Sequence, residues 1–414
     1  MKEKIFGLLG RTLGHSYSPQ IHKALGLENY KLIEVEPDEL KPFLQREDLG
    51  AVNITIPYKK DAFVLCDKLT NAARAIGSVN TVVRQDDGTL LGDNTDAYGF
   101  LYMANRANIS FVDRKVLILG NGGASLTAQY VAKKQNAKEI IVVNRNGENN
   151  YQNIHRHFDA EIIINTTPVG MYPKNGESLI CLKDFPCCCG VLDMIYNPCR
   201  TTLIMEAEER NIPCSGGLPM LVAQAKAAEE RFFNKTISDK IIADVLAILR
   251  RETENIILIG MPGSGKTTVG KELSTLSGKE WIDLDKAIED DANMSIPSIF
   301  KKFGEEHFRK AEKEKAKAIG NLSGKIIMTG GGIIKNKENY APLHQNGRIY
   351  FLQRDPDLLD TTDRPLSING DLHAMYHERI EQYHYFCDVE IDNNGSTKDA
   401  ATEIWREFCE YSGH

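Results

Sequence analysis

Eight residues, Gly260-Met-Pro-Gly-Ser-Gly-Lys266-Thr267, have the spacing of a phosphate-cradling loop. The glycines at 260, 263 and 265 let backbone N–H groups converge on phosphate oxygens, at the positive end of the helix that should follow. Ser264 and Thr268 extend the cradle, Lys266 can reach the β- and γ-phosphates of ATP, and the Thr267 hydroxyl can ligate Mg2+. Trp281-Ile-Asp283-Leu-Asp285 then places two carboxylates on one face at period two. One suits the metal shell, a role assigned to Asp283, and the other, Asp285, an acceptor hydroxyl. Asp285 could also cap the helix that KAIED begins, and both roles are compatible.

A second set lies upstream. Ser16 and Ser18, in HSYSP, can face one ligand if that segment is extended; they could instead cap the helix of PQIHKAL. Lys59 follows the apolar run GAVNITIP, and Asp96 follows GDNT. If both end strands that open on a cleft, Asp96 holds the ammonium and Lys59 exchanges a proton with a reacting oxygen. A surface salt bridge would need no cleft.

These groups need elements to position them. KVLILGNGGASLTAQYVAKK at 115–134 and NIILIGMPGSGKTTVGKELS at 255–274 each join an apolar run, a glycine turn and an amphipathic helix. Each predicts a βα unit opening a parallel sheet, and so a nucleotide site. Their glycine spacings differ, so they are not an internal repeat. KIFGLLG and GAVNITIP read as buried strands, and residues 218–250 as helices ending in the charged stretch Arg250–Glu254. The expected fold class is α/β. An N-terminal α/β substrate part (1–100 and 218–250) combines with a Rossmann-like dinucleotide part (101–217), and a P-loop, nucleoside-monophosphate-kinase-like parallel α/β domain follows at 251–414.

The dinucleotide turn is Gly120-Asn-Gly122-Gly123-Ala124, a compact variant. The next strand ends IIVVNRN. An acidic residue there would favour the ribose 2′-hydroxyl of NAD; Asn144 and Arg145 offer an amide and a cation, which suit a 2′-phosphate and predict NADPH.

Composition narrows the class. Of 414 residues, 42% are hydrophobic and 26% charged, as in a soluble globular protein of two or three domains. The net charge of −7, with no basic stripe, argues against nucleic acid. No run approaches the ~18 apolar residues of a membrane span, and the N-terminal residues lack an apolar run with a cleavage site, so a cytoplasmic protein is expected. Nine cysteines, an odd number, point to reduced thiols. The Cys187-Cys188-Cys189 run lacks paired CxxC zinc spacing and reads as packed or edge thiols.

Across 255–390 the order of P-loop, DxD, SIPSIFKKFGEEHFRKAEKE, MTGGGI, DRPL and ERIEQY resembles shikimate kinase. The resemblance implies that Asp285 binds and activates the acceptor hydroxyl. It implies Arg309 and Arg379 as forked clamps on the substrate carboxylate. Gly330, Gly331 and Gly332 would let backbone approach the cyclohexene ring, and Arg364 would be the lid arginine at the transferring phosphoryl group. The chain departs from the pattern in QRDPDLLDTTD, which lacks further lid arginines, and at Asp392-Asn393-Asn394-Gly395, which lacks an adenine-side arginine. Cys387 stands where an alanine is usual.

From about residue 5 to 248, HSYSP, NITIPYKK, AIGSVNTV, GDNTDAYG, LGNGGAS, VVNRN, NTTPVGM, DMIYNP and GLPMLVAQA follow in the order of shikimate dehydrogenase, which this region resembles. The resemblance implies a substrate pocket from Ser16, Ser18, Thr55, Asn80, Asp96, Tyr196 and Gln224. Lys59 and Asp96 become the catalytic pair, and Met194 and Gly217 lie by the nicotinamide. The chain has Arg11-Thr12-Leu13 where a proline is usual.

The combined expectation is a bifunctional enzyme. One half reduces 3-dehydroshikimate to shikimate with NADPH; the other converts shikimate to shikimate 3-phosphate with MgATP. The rivals are an NAD-using quinate/shikimate dehydrogenase on the same kinase, a kinase for a nucleotide or gluconate, and a non-catalytic N-terminal module that regulates the kinase. The oligomeric state is left open.

Overall fold

Ile5–Gly10 and Leu49–Ile54, the two apolar runs read as buried strands, are parallel neighbours in a six-stranded sheet. Its spatial order is Tyr30–Glu34, Ile5–Gly10, Leu49–Ile54, Thr81–Arg84, Leu90–Asp93, Lys68–Leu69. Thr81–Arg84 runs antiparallel to both neighbours, so Leu49–Ile54 and Leu90–Asp93 end at the same edge, where Thr81–Arg84 begins. The computed structural model describes residues 4–14, 16–359 and 371–413.

The second sheet is wholly parallel, in the order Cys214–Ser215, Gly190–Asp193, Ile162–Asn165, Lys115–Leu119, Glu139–Val143. The chain goes from Lys115–Leu119 to one side and returns to the other. This makes a switch point between Lys115–Leu119 and Ile162–Asn165, the place where such sheets open a crevice. Val116 and Ile118 pack with Phe100 and Met103, whereas Leu117 and Leu119 face Leu203 and Ile204, so both faces are covered.

The third sheet is also parallel: Trp281–Asp283, Ile326–Met328, Asn255–Ile259, Gly347–Gln353, Val389–Asp392. Its central run alternates. Ile256 and Leu258 pack on Val269, Leu273, Ile404 and Phe408, and Ile257 and Ile259 on Leu284, Phe308 and Tyr383. Each such side chain contributes about 1.5–3 kcal/mol by leaving water.

The chain divides into two units. The first takes residues up to Met171, Glu177–Tyr196 and Leu203–Leu249; the second takes Tyr172–Gly176, Asn197–Thr202 and the chain from Arg250 onward. Helix Lys240–Thr253 continues through the charged stretch, with one residue left before strand Asn255–Ile259. Within the second unit, the Cys199 backbone N–H donates to Asn346 Oδ1 at 2.9 Å.

Candidate active sites

In the first unit Lys59 opens helix Lys59–Leu65 and Asp96 opens helix Asp96–Arg106. The expectation that each ends a strand is corrected: a short turn follows each strand, and the side chain sits on the first helical turn. A carboxylate is favoured at this positive end and an ammonium is not. The pairing offsets the second term, since Lys59 Nζ donates to Asp96 Oδ2 at 2.6 Å. Both side chains keep partial exposure, 25% and 13%, so a ligand can reach them.

Asn80 reaches Asp96 because it immediately precedes the antiparallel strand. Its Nδ2 donates to Asp96 Oδ1 at 2.9 Å, and its Oδ1 accepts the Thr95 N–H at 2.7 Å. Gln224 Oε1 lies 3.4 Å from Asn80 Nδ2. Gly99 allows that approach: a Cβ there would meet Met220 O at 2.5 Å and Gln224 Cβ at 2.9 Å. Sequence reasoning missed Thr95 and Gly99, although both lie in GDNTDAYG. Asp96, Asn80, Gln224 and Lys59 thus form one hydrogen-bonded set.

Ser16 Oγ donates to Ser18 Oγ at 3.1 Å and accepts the Ser18 N–H at 3.2 Å. Neither is the helix cap: Tyr17 takes that place and makes no side-chain cap bond. Tyr196 packs its ring 5.4 Å from Tyr17, while Thr55 donates its backbone N–H to Leu9 O at 2.9 Å.

At the switch point, Gly120 has φ +104°, and a Cβ would meet Thr166 Oγ1 at 2.8 Å. Gly122 caps helix Gly123–Lys134, which no side chain caps; a Cβ on Gly122 or Gly123 would stand in open space. Gly122, Gly123 and Ala124 thus leave the helix N-terminus open for a pyrophosphate. Asn144 Oδ1 accepts the Asn146 N–H at 3.0 Å. Arg145 is exposed, and among the described residues it makes no hydrogen bond or ion pair. Met194 and Gly217 come together: a Cβ on Gly217 would meet Met194 O at 2.2 Å. Sequence reasoning missed Asp193, which is fully buried and accepts the Ile195 N–H at 3.0 Å, fixing the loop that carries Met194.

In the second unit, strand Trp281–Asp283 is not beside the P-loop strand. Ile326–Met328 lies between them and leads to Gly330–Gly332. Three loops therefore leave the same sheet edge in a row. The P-loop is left-handed at Gly263 (φ +82°) and Gly265 (φ +89°), and Gly260 has φ +152°. Lys266 Nζ donates to Gly260 O at 2.8 Å and Met261 O at 2.9 Å. Thr267 Oγ1 donates to Asp283 Oδ2 at 3.1 Å; both are open to a cation, and Thr268 is exposed beside them. The helix cap is Asp283, whose Oδ1 accepts the Lys286 N–H at 3.2 Å, and not Asp285.

Asp285 is thus not used as the helix cap. Its Oδ1 is buried with no hydrogen-bond partner among the described residues. Burial first, then the Asp283 charge, pushes its carboxyl up to about 6, against the pull of Lys266 and Arg309. The glycine turn fits closely around it. A Cβ on Gly330 would meet Asp285 Oδ1 at 2.4 Å, one on Gly331 would meet Pro262 at 2.5 Å, and one on Gly332 would meet the Arg309 guanidinium at 2.6 Å. Arg309 donates to Glu312 at 2.8 Å and to the exposed Glu305 at 3.1 Å. Arg379 NH1 donates to Gly331 O at 3.4 Å, and its buried Nε–H has no acceptor among the described residues. Arg364 lies outside the described residues.

Two further residues brace this site. Tyr383 Oη donates to Gly331 O at 2.6 Å. Asn393 Nδ2 donates to Ser264 O at 2.6 Å, holding the P-loop from the stretch that lacks an adenine-side arginine. No local pattern marks either as a site residue, because each acts on backbone far away in sequence. No helix among the described residues is long and apolar enough to cross a membrane.

Known proteins resemble both halves. The model of the shikimate kinase family matches residues 262–409, and that of the shikimate dehydrogenase substrate binding domain matches residues 8–82. Shikimate dehydrogenase (NADP(+)) of Caldicellulosiruptor bescii is 37% identical over 262 residues, 56% of this chain and 90% of that protein. The corresponding Clostridium beijerinckii protein is 34% identical over 272 residues, 60% of this chain and 99% of its own. Among solved structures, a chorismate mutase/shikimate 5-dehydrogenase fusion protein from Clostridium acetobutylicum is 34% identical with a TM-score of 0.57, over 60% of this chain and 98% of that one. Shikimate 5-dehydrogenase from Listeria monocytogenes, solved with shikimate and NAD, is 29% identical with a TM-score of 0.54, over 60% of this chain and 96% of that one. The chain is therefore an enzyme that belongs to the shikimate dehydrogenase family and carries a shikimate kinase domain behind that part.

Proposed function

We propose that the first unit reduces 3-dehydroshikimate to shikimate with NADPH and that the second phosphorylates shikimate to shikimate 3-phosphate with MgATP. The observation that carries the reading is the pair of prepared acid–base sites, Lys59 bonded to Asp96, and Asp285 with its Oδ1 buried and without a hydrogen-bond partner among the described residues. When bound, NADPH supplies hydride and MgATP the phosphoryl group. Lys59 gives a proton to the oxygen of the ketone being reduced, and Asp96 holds the ammonium in place. Asn80 and Gln224 orient the ring hydroxyls. The open N-terminus at Gly122–Ala124 suits a pyrophosphate, and the exposed Arg145 a 2′-phosphate. The NADP(+) in the names of the two curated relatives supports the same cofactor.

In the second unit Asp285 takes the proton of the acceptor hydroxyl. Lys266 and the P-loop amides bind ATP phosphates, while Thr267 and Asp283 hold Mg2+. Arg379 and Arg309 take the acceptor carboxylate, and the close glycine turn shapes the wall of its site. The product of the first reaction is the acceptor of the second.

The test supplies 3-dehydroshikimate with NADPH and ATP, separately and together. NADPH alone should yield shikimate, and both together shikimate 3-phosphate. NADPH oxidation without shikimate formation would sink the first assignment, and shikimate that consumes no ATP the second. A second reading, NADH in place of NADPH, draws on the Listeria relative solved with NAD. Comparing kcat/KM for the two cofactors separates them.

A further inference from the structure

Helix Leu372–Phe386 ends where the chain turns into the edge strand Val389–Asp392. Three metal-ligating side chains meet there: His384 in the last helical turn, Cys387 at the C-cap and Glu390 on the strand. Their ligand atoms all lie within 4.8 Å of one another. His384 Nδ1 and Glu390 Oε1 are 2.5 Å apart, and Cys387 Sγ lies 3.6 Å from the His384 carbonyl oxygen. The His384 ring stands edge-on to Phe351, with centroids 5.9 Å apart, which holds its plane. Among the described residues, none of the three side chains hydrogen-bonds to the P-loop, Asp285, Arg309 or Arg379. The Cys187–Cys189 run, by contrast, has its middle thiol buried and the outer two exposed.

An imidazole nitrogen, a thiolate sulfur and a carboxylate oxygen form a donor set for a borderline-soft divalent ion such as Zn2+ or Co2+, over Mg2+ or Ca2+. Bonds of about 2.0–2.3 Å would place the donor atoms roughly 3.3–3.6 Å apart in a tetrahedral site. Small side-chain rotations reach that spacing, since His384 and Glu390 are exposed and Cys387 is half-buried. The three ligands come from a helix end, its cap and the neighbouring strand, so an ion would join these elements.

We propose that His384, Cys387 and Glu390 bind one Zn2+-class ion, with water as the fourth ligand. Metal bonds form at Nδ1, Sγ and a carboxylate oxygen, and the thiol proton leaves to solvent. The ion is a structural clip on the helix that also carries Arg379 and Tyr383.

Co2+ titrated into the metal-free full-length chain, with excess Mg2+ present, tests this. One equivalent should bind, with a near-ultraviolet thiolate-to-cobalt band and tetrahedral ligand-field absorption that Zn2+ abolishes. Cys387→Ser should remove the thiolate band, and Glu390→Gln should weaken binding by at least the roughly 10–100-fold that loss of an outer partner costs. A double Cys187→Ser/Cys189→Ser variant should keep the spectrum. Zn2+ should raise Tm in the unaltered chain and not in Cys387→Ser, whose kinase activity reports that it is folded. Absence of a thiolate band in the unaltered chain, or its survival in Cys387→Ser, overturns the proposal.

Discussion

Each half of the chain sets a lysine and an aspartate at helix N-termini, and the two pairs are held in opposite ways. In the first unit Lys59 and Asp96 bond directly at 2.6 Å, and both side chains stay partly exposed. In the second, Lys266 rests on the carbonyls of Gly260 and Met261, while Asp285 keeps one buried oxygen that has no partner among the described residues. Reduction of a ketone needs a proton donor, and a carboxylate bonded to the ammonium keeps the donor in place. Phosphorylation needs a proton acceptor. In the proposed reaction the buried Asp285 Oδ1 would meet the substrate hydroxyl, and leaving that oxygen buried without a substrate costs the free protein stability.

The largest test removes the unpartnered carboxylate. Asp285→Asn should lower the rate of shikimate phosphorylation by about 10^3–10^4-fold and spare NADPH oxidation. It should also stabilise the ligand-free chain. The folded state raises this acid from 3.8 to about 6. Between those values the folded form holds more protons than the unfolded, so stability falls as pH rises through the window. Above pH 6 the variant should be the more stable, by up to roughly 3 kcal/mol, and the difference should vanish below pH 4. Urea unfolding in EDTA at two pH values checks the sign. An Asp285→Asn chain less stable at neutral pH would break the comparison.

Next in size is the paired site. Lys59→Ala should cost about 10^2–10^3-fold in the rate of 3-dehydroshikimate reduction, with little change in KM for NADPH and none in the kinase. Smaller again is the cofactor contact. Arg145→Ala should raise KM for NADPH about 10–100-fold, the worth of charge-assisted hydrogen bonds of roughly 1.5–3 kcal/mol, and leave NADH unaffected. An equal loss with both cofactors would remove the 2′-phosphate role. The smallest is Tyr383→Phe, which deletes one hydrogen bond to Gly331 O. At about 1 kcal/mol, it should raise KM for the acceptor some five-fold, with KM for ATP constant.

The sequence carries more of the loops than of their partners. A glycine needed for a left-handed turn is a local requirement, so the P-loop was legible from eight residues, as were the two strand–turn–helix openings. Asp283 and Asp285 were legible as a pair, yet which one caps the helix was not. Their backbone N–H neighbours are equally close in sequence, and only the observed start of the helix separates the two. Lys59 was read at a strand end and lies on a helix, because a short turn between the two leaves no periodic signal.

By itself, the sequence determined the α/β class, the two nucleotide-binding turns and the types of group available for acid–base chemistry. These rest on local spacing and hydrophobic period. Tertiary structure alone decided that Asn80 and Lys59 both bond to Asp96, that Gly330–Gly332 closes on Asp285, and that Asn393 braces the P-loop. Strand order makes those contacts. The antiparallel Thr81–Arg84 puts Asn80 at the shared edge, and Ile326–Met328 enters the sheet between two strands that precede it in the chain. Residues far apart in sequence become neighbours only once the strands are laid side by side.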